Sequence, residues 1–458
     1  MTPIDVMEIA RLVNGEAHGI APETQVRGVQ TDSRAIRPGD LFVCLPGEHA
    51  DGHDFAAAAV DAGAAAVLAS KALLDRIPHV VCVDTQWALG RIAAMVASRR
   101  STRVLAITGS NGKTSVKTLL QGILSRVALS YANPGNLNNE IGLPLAVLGQ
   151  PQDARFGVYE MGAGKPGDIA YLCDVLTPDV ALVNNVAPAH LERMGSMLGI
   201  AQTKGAIYRA LRSNGYAVIA ADEAFAPLFE DLAAHVRVLR FGVECAAEVM
   251  ARRIALTATS SRFLLTTPQG DAEIVLPLLG LHNVRNALAA AAMALAVNAP
   301  LADIVAGLQQ AQGVAGRLQS HVLSDSVQLL DDSYNANPGS LNAAIAVLAT
   351  HGRNTSLVLG DMRELGPDAL ALHAEMGRLA REAGIGELHA VGELAAAAVE
   401  GFGNGGVVYP TQQALIAALP ARMAPGMCCL VKGSRGSRMD RVVKALLDSD
   451  RERQAHVA

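Results

Sequence analysis

One short segment limits the folds open to this chain more than any other feature. Gly109-Ser-Asn-Gly-Lys-Thr114 follows an apolar run at 104–108 and precedes an amphipathic stretch at 116–127. The order strand, glycine-rich loop, helix points backbone N–H groups at phosphate oxygens. In such a loop Lys113 neutralises the outer phosphates, and the hydroxyl of Thr114 binds magnesium. The segment therefore predicts an α/β sheet with a nucleoside triphosphate site at its edge.

Apolar strand-like runs alternate with helical segments along the whole sequence. This alternation is typical of parallel sheets with crossover helices. At 458 residues the chain also exceeds the size of one compact domain. A polar stretch after residue 98 and a glycine-containing stretch near residue 314 divide the runs into three groups. We expect three α/β domains, over residues 1–98, 99–314 and 315–458.

Composition argues against several classes of protein. The formal net charge is -5 and no long basic run occurs, so the electrostatic footprint of a nucleic-acid-binding protein is missing. Asp5, Glu8 and Arg11 interrupt the apolar residues at the N-terminus, which fits neither a signal peptide nor a membrane span. Six scattered cysteines lack metal-ligand spacing, which favours buried, reduced thiols. We expect a cytoplasmic monomer without membrane insertion.

Several further motifs follow the phosphate loop in order. They are Asn133-Pro-Gly-Asn-Leu-Asn-Asn-Glu-Ile-Gly-Leu-Pro144, Tyr159-Glu-Met-Gly162, Ala189-His-Leu-Glu192 and Gly280-Leu-His-Asn-Val-Arg-Asn286. Together with Thr108-Gly-Ser-Asn-Gly-Lys-Thr114 they resemble the successive central blocks of the Mur ligase family. That family's shorter phosphate loop accounts for Ile107, where the common pattern has its first glycine. The resemblance covers nearly the whole chain, and the ordered combination is specific although each block alone is weak.

The resemblance implies an ATP-dependent ligase that uses Mg²⁺. Glu160 directly follows a strand candidate and is expected to form a magnesium site with Thr114, because magnesium prefers oxygen ligands. His190 resembles the family's second metal-site histidine. Lys204 matches the lysine that carries a carbamate, an anion able to coordinate metal. With Lys113, these two residues are the expected catalytic groups; position alone also allows a structural histidine and an exposed helical lysine.

The resemblance extends to the nucleotide site. His282 and Asn283 match positions on the adenine side, with core or capping roles as the alternative. Arg317 stands at a domain junction, from which an arginine can reach the triphosphate. The expected ATP-binding residues are Gly109, Ser110, Asn111, Gly112, Lys113, Thr114, Ser115, His282, Asn283, Arg317, Asp332, Tyr334, Asn335 and Asn337.

The first 100 residues carry three more matching motifs, Thr31-Asp-Ser-Arg34, Pro38-Gly-Asp-Leu-Phe42 and Asp51-Gly-His-Asp-Phe55. They resemble the family's uridine-nucleotide-binding region. Ser33 and Arg34 offer hydrogen-bond donors to a diphosphate. Asn136 and Asn139 are implied to lie near the sugar-peptide substrate or the metals. The expected fold is a central phosphate-loop ATPase sheet, flanked by a small UDP-binding α/β domain and a C-terminal dinucleotide-fold-like domain on the acceptor amine side.

Joining a carboxylate to an amine requires activation, since carboxylate oxygen is a poor leaving group, and phosphorylation by ATP supplies it. The segment at 331–339 resembles the dipeptide-adding branch of the family. It implies that D-alanyl-D-alanine is added to UDP-N-acetylmuramoyl-tripeptide through an acyl phosphate, in peptidoglycan precursor synthesis. Two alternatives stay open. One is another Mur-type or folylpolyglutamate-type ligase, and the other is a regulatory protein that uses ATP as a conformational switch.

Overall fold

The computed structural model describes residues 1–47, 50–188 and 191–457. Within them, three α/β domains each surround a sheet of their own. The three-domain α/β fold expected from the alternating runs is confirmed. The exact boundaries at 98/99 and 314/315 stay predictions.

The N-terminal domain is a five-stranded sheet in the order β2-β7-β6-β5-β4, beside a two-stranded ribbon of β1 and β3. Strands β4 to β7 are parallel, and β2 joins β7 antiparallel. Both sheet faces are covered, because Leu41 and Val43 pack on one side while Phe42 packs on the other. The elements are β1 (Ile4–Asp5), α1 (Val6–Leu12), β2 (Glu16–His18), β3 (Gln25–Val26), β4 (Gly28–Gln30), β5 (Asp40–Val43), α2 (Ala56–Asp61), β6 (Ala66–Ala69), β7 (His79–Val81) and α3 (Thr85–Ser98).

The central domain holds a nine-stranded sheet in the order β16-β15-β14-β13-β12-β11-β8-β10-β9. The strands from β9 across to β14 run parallel, and β15 and β16 continue as antiparallel neighbours. The elements are β8 (Arg103–Thr108), α4 (Lys113–Val127), β9 (Ser130–Ala132), α5 (Gly142–Gly149), β10 (Phe156–Glu160), α6 (Asp168–Val175), β11 (Val180–Val183), α7 (Leu191–Met194), α8 (Met197–Arg209), β12 (Tyr216–Ala220), α9 (Ala226–Leu232), β13 (Arg237–Gly242), β14 (Val249–Leu256), β15 (Ser261–Thr267), β16 (Gly270–Leu276), α10 (Leu281–Ala296) and α11 (Leu301–Gln309).

Alternation along β8 explains why this sheet is covered on both faces. Leu105 and Ile107 join the core that contains α4 and α10, whereas Val104 and Ala106 join the core on the opposite face. This period of two is the pattern of a strand buried on both sides. Twelve of the sixteen residues of α10 are buried, and its many alanines allow it to lie close to the sheet.

The C-terminal domain is a six-stranded sheet in the order β17-β18-β22-β19-β20-β21, parallel except for β17. Asp332 and Lys432 are register partners at the carboxyl ends of β18 and β22. In open α/β sheets ligands collect at such strand ends. The elements are β17 (Gln319–Val322), β18 (Gln328–Asp332), α12 (Pro338–Ala349), β19 (Thr355–Gly360), α13 (Ala369–Glu382), β20 (Glu387–Val391), α14 (Ala395–Phe402), β21 (Gly406–Tyr409), α15 (Gln412–Ala418), β22 (Cys428–Lys432) and α16 (Asp440–Val457).

The six cysteines carry free thiols, and all except Cys245 are buried. Burial raises the pKa of the Cys44 thiol to about 12. Five of the six cysteines therefore have the buried, free thiols that the sequence predicted. In the part of the chain that the structure describes, no helix has the length and apolar character to cross a bilayer.

Candidate functional site

The site lies where neighbouring parallel strands of the central sheet end at the same edge. Strand β8 lies between β10 and β11. The phosphate loop leaves β8, Glu160 is the last residue of β10, and Asn184 follows β11 directly. Gly112 has a φ of 78°, and a Cβ there would stand 2.5 Å from the side chains of both Asn184 and Asn286. Only glycine fits this loop position.

Lys113 begins α4, and its ammonium group forms a hydrogen bond back to the start of the phosphate loop. Its Nζ donates to the carbonyl oxygen of Gly109 at 2.8 Å. Desolvation lowers the pKa of Lys113; the charge of Glu160 opposes this shift and that of Arg317 adds to it. A bound phosphate would favour the charged lysine, because an opposite charge nearby stabilises the ammonium form.

Thr114 and Glu160 meet as the phosphate-loop motif predicted. The hydroxyl of Thr114 donates to Oε2 of Glu160 at 2.9 Å, and the amide of Asn138 donates to Oε1 at 2.8 Å. One hydroxyl and one carboxylate are suitable oxygen donors for Mg²⁺, which keeps water and phosphate oxygens as further ligands. Among the described residues no group of three or more His, Cys, Asp or Glu side chains could hold a metal ion. The two oxygen donors of Thr114 and Glu160 fit a magnesium ion that takes its other ligands from water and phosphate.

Lys204 is buried in α8, with only 2% of the residue exposed. The alternative prediction, that Lys204 is an exposed helical lysine, is therefore wrong. Desolvation and the nearby charge of Lys113 lower the pKa of Lys204 to about 7, against an opposing effect of Asp168. His190, expected beside it at the metals, lies outside the described residues.

Two cavities share the phosphate loop as a wall. The first, of about 380 Å³, is lined by eight of the expected ATP-binding residues, namely Asn111, Gly112, Thr114, Ser115, His282, Asn283, Arg317 and Asp332. The second, of about 420 Å³, is lined on the other side by Ser110, Lys113, Asn138, Asn139, Glu160, Tyr334, Asn335 and Asn337, among others. Asn111, Gly112, Thr114 and Arg317 line both cavities. The expected nucleotide residues thus divide between two adjoining spaces.

The C-terminal domain contacts the phosphate loop directly. The guanidinium of Arg317 lies over the ring of Tyr334, 4.2 Å from its centroid. Asn337 caps α12 and donates from its side-chain amide to the side-chain oxygen of Asn111 at 2.8 Å. Residues from the third domain therefore complete a site that begins in the second.

Asp332 and Lys432 form a buried ion pair beside the first cavity. The Nζ of Lys432 also donates to the carbonyl oxygen of Asn335 at 3.0 Å. Burial raises the pKa of Asp332, and the ammonium of Lys432 opposes that shift. Burial, with the charges of Lys432 and Arg285, lowers the pKa of His282 to about 4, so this histidine is neutral at pH 7. A neutral imidazole offers both a donor and an acceptor to a ligand.

Asn283 lines the first cavity and also forms hydrogen bonds at the start of α10. Its amide donates to the carbonyl oxygen of Leu279 at 2.9 Å, and its side-chain oxygen accepts from Asn286. Helix α10 has no side-chain cap hydrogen bond, so the capping alternative is not seen, but Asn283 is buried and has the core role that the sequence left open. This core role does not prevent Asn283 from lining the cavity.

Three of the four expected substrate residues stand apart from both cavities. Ser33 and Arg34 lie on a short turn of the N-terminal domain, where Arg34 pairs with Asp32 at 2.7 Å. The hydrogen bonds from Arg34 lower the pKa of Asp32 to about 2. Asn136 is exposed, whereas Asn139 lines the second cavity and accepts from a backbone N–H. Only Asn139 adjoins the phosphate loop.

Several site residues escaped the sequence analysis, namely Lys117, Asn138, Asn184, Glu223 and Lys432. Asn184 and Glu223 line the first cavity and Asn138 the second. Two signals could have found some of them. Lys117 lies one helical turn beyond Lys113, and Asn184 follows a buried strand directly. Positions just after parallel strands are favoured sites for ligands.

Comparisons with known proteins match this architecture. The Mur ligase family catalytic domain matches residues 25–95, the Mur ligase middle domain residues 107–294, and the Mur ligase glutamate ligase domain residues 316–435. The UDP-N-acetylmuramoyl-tripeptide--D-alanyl-D-alanine ligase of Escherichia coli is 40% identical over 452 residues, which cover 98% of this chain and 99% of that protein.

Solved structures agree with the sequence matches. A crystal structure of MurF from Acinetobacter baumannii superposes with a TM-score of 0.93 at 35% identity, covering 98% of this chain and 99% of that chain. The structure of MurF ligase from Thermotoga maritima in complex with ADP gives a TM-score of 0.85 at 26% identity, covering 93% and 99%. The similarity therefore extends through all three domains.

Proposed function

This chain belongs to the Mur ligase family and is an ATP-dependent ligase, and from that premise we propose that it adds D-alanyl-D-alanine to UDP-N-acetylmuramoyl-tripeptide. The product is a pentapeptide precursor of peptidoglycan. The proposal is supported by relatives of that activity that align over almost the full length of both chains. The structural observation that carries it is the pair of cavities on either side of one phosphate loop.

We assign ATP to the first cavity, with its terminal phosphate at the wall shared with the second. The donor carboxylate enters from the second cavity. Its oxygen attacks the γ-phosphorus, the bond between that phosphorus and the bridging oxygen breaks, and ADP leaves. Lys113 and Arg317 stabilise the negative charge that develops on the transferred group. The product of this step is an acyl phosphate.

The amine of D-alanyl-D-alanine, having lost its extra proton to solvent, then attacks the acyl carbon. The carbon–oxygen bond to phosphate breaks, and inorganic phosphate leaves as the amide forms. Magnesium held by Thr114 and Glu160 would offset repulsion between the carboxylate and the triphosphate. Holding the reactants in adjoining cavities converts a bimolecular step into an effectively unimolecular one.

We propose a carbamate on Lys204. A pKa of about 7 leaves much of this amine neutral near pH 7. The neutral nitrogen adds to carbon dioxide and releases one proton, which gives an anionic carbamate. Starting from the buried ammonium cation, two protons are released in all. His190 is proposed to act with it at the metal.

We assign the UDP end of the donor to the N-terminal domain, with Ser33 and Arg34 as donors to the diphosphate. The C-terminal domain takes the acceptor. We also propose that the chain acts as a monomer. ATP and both substrates are water-soluble, and we place the reaction in the cytoplasm.

The two alternatives differ from this proposal in what they require. A different amide ligase of the superfamily would use another amino acid in place of D-alanyl-D-alanine, and an ATP switch would need no acceptor. The test is ADP release by the full chain with UDP-N-acetylmuramoyl-tripeptide, ATP and magnesium. We expect release only when D-alanyl-D-alanine is also present. Turnover with glutamate or diaminopimelate instead, or hydrolysis independent of either peptide substrate, would refute the proposal.

A further inference from the structure

A second lysine lies beneath the phosphate loop and has no part in the reaction just described. Lys117 stands one helical turn after Lys113 on α4, and 7% of its side chain is exposed. Its Nζ donates to the carbonyl oxygens of Asn133 at 2.8 Å and Gly135 at 3.2 Å. A buried ammonium is costly unless its protons find acceptors. These two bonds account for two of its three protons.

The third proton has Glu160 as its nearest charged neighbour. Nζ of Lys117 is 3.8 Å from Oε2 of Glu160, and that carboxylate is 6% exposed. The same carboxylate accepts from Thr114 and Asn138, one donor on each oxygen. The proposed magnesium ligand thus has two hydrogen-bond donors, Thr114 and Asn138, and one ion-pair partner, Lys117.

Lys117 also anchors the segment 133–138. Within it, Asn133 accepts from the backbone N–H of Glu160 at 2.9 Å and donates to the carbonyl oxygen of Leu137 at 2.7 Å. The backbone carbonyl of Asn133 is free to accept from Lys117. The segment is therefore fastened both to α4 and to the end of β10. Asn138, at its far end, reaches the second cavity.

We propose that Lys117 is a positioning residue for magnesium use. It holds Glu160 and the segment 133–138 in the arrangement that the magnesium site requires, without touching ATP or the peptide substrates itself. This inference rests on the proposed magnesium site of Thr114 and Glu160. Groups that orient metal ligands in this way typically contribute about tenfold to a hundredfold in metal affinity or activity.

The test uses Lys117→Met, which keeps an unbranched side chain one heavy atom shorter and removes the charge and the donors. Binding of ADP to the full chain is measured by calorimetry without magnesium and during a magnesium titration. We expect the half-saturating magnesium concentration to rise about tenfold or more, as for other groups that orient metal ligands. Affinity for ADP alone should stay at the wild-type value. Lys117→Arg retains the cation and should recover part of the magnesium response.

Lys444→Met is the matched control, because Lys444 is an exposed lysine of α16. It should leave the titration unchanged. An unaltered magnesium requirement in Lys117→Met with a lower melting temperature would show a purely structural role and overturn the proposal. A lower magnesium requirement would also overturn it, since the lysine would then repel the metal.

A result from the wild-type protein separates this inference from the proposal on which it rests. If magnesium does not change ADP binding by the wild-type chain, the magnesium site itself is refuted. If magnesium strengthens binding in the wild type and equally in Lys117→Met, only the positioning role is refuted. Should Lys117→Met fail to fold, Lys117→Gln, which is also neutral but keeps one donor for a carbonyl, gives the same comparison.

Discussion

Asn337 donates a hydrogen bond to the side chain of Asn111 over 2.8 Å, although 226 positions separate the two residues in the chain. Asn111 belongs to the phosphate loop and Asn337 begins a helix of the C-terminal domain. The third domain is therefore in contact with the loop that would bind the triphosphate. This bond gives a direct way to test whether the contact contributes to catalysis.

Asn337→Asp should weaken use of ATP without destabilising the fold. Aspartate is as good a helix cap as asparagine, so α12 keeps its N-terminal bond. The carboxylate cannot donate to Asn111, and one net hydrogen bond is worth about 0.5–1.5 kcal/mol. Steady-state kinetics should show a KM for ATP higher by roughly threefold to tenfold, each 1.4 kcal/mol being a factor of ten. An unchanged KM with an unchanged melting temperature would mean that the contact is incidental.

Lys113→Ala should abolish ligation and leave the fold intact. Its ammonium bonds the loop carbonyl of Gly109 and not a hydrophobic core, so little stability depends on it. Loss of a preorganised charge at the transferred group lowers kcat by about a hundredfold or more. ADP release and thermal melting are the measurements, with Lys444→Ala as control. Near-normal turnover would refute the phosphate-loop assignment.

Lys204→Arg tests the carbamate, because arginine keeps a positive charge but cannot form the same adduct. We expect both Lys204→Arg and Lys204→Ala to be inactive. A small added carboxylate such as acetate should partly restore Lys204→Ala by filling the vacated volume, and should do little for Lys204→Arg, whose side chain still occupies it. Acetate added to Lys113→Ala serves as the control. Full activity of Lys204→Arg would end the carbamate proposal.

Arg34→Ala should raise the KM for the UDP substrate more than the KM for ATP. Its guanidinium is exposed on the N-terminal domain, lines neither cavity and is oriented by Asp32. Loss of the charge-assisted hydrogen bonds to the diphosphate should raise the KM for the UDP substrate several-fold. Arg76→Ala, an exposed arginine of the same domain, is the control. A selective defect in ATP use would exclude Arg34 from a uridine site.

The parts of the site that the sequence predicted are those encoded by contiguous residues. The strand, loop and helix around Lys113 form one local unit, and Glu160 ends the strand that neighbours it in the sheet. Parallel pairing brings such strand ends together whatever the intervening chain contains. The meeting of Thr114 with Glu160 followed from that rule.

The parts that the sequence did not predict depend on contacts between distant segments. Lys117 is recognised by its hydrogen bonds to carbonyl groups 16 and 18 residues away in the chain. No pattern in the sequence of α4 indicates them. The burial of Lys204 likewise depends on elements that pack around α8, so its helical position gave no sign of it. The pairing of Asp332 with Lys432 joins positions 100 residues apart. Predicting this pair requires knowing how β18 and β22 are aligned in the sheet.

The phosphate loop is a single wall between two cavities, since Asn111, Gly112, Thr114 and Arg317 line both. When a ligand in one cavity orders these residues, a ligand in the other cavity binds with a smaller loss of conformational entropy. Nucleotide and peptide are then thermodynamically coupled, and by linkage each must change the affinity of the other by the same factor. In the proposed assignment the same reciprocity applies to the products, so bound ADP strengthens binding of the finished peptide and its departure weakens that binding.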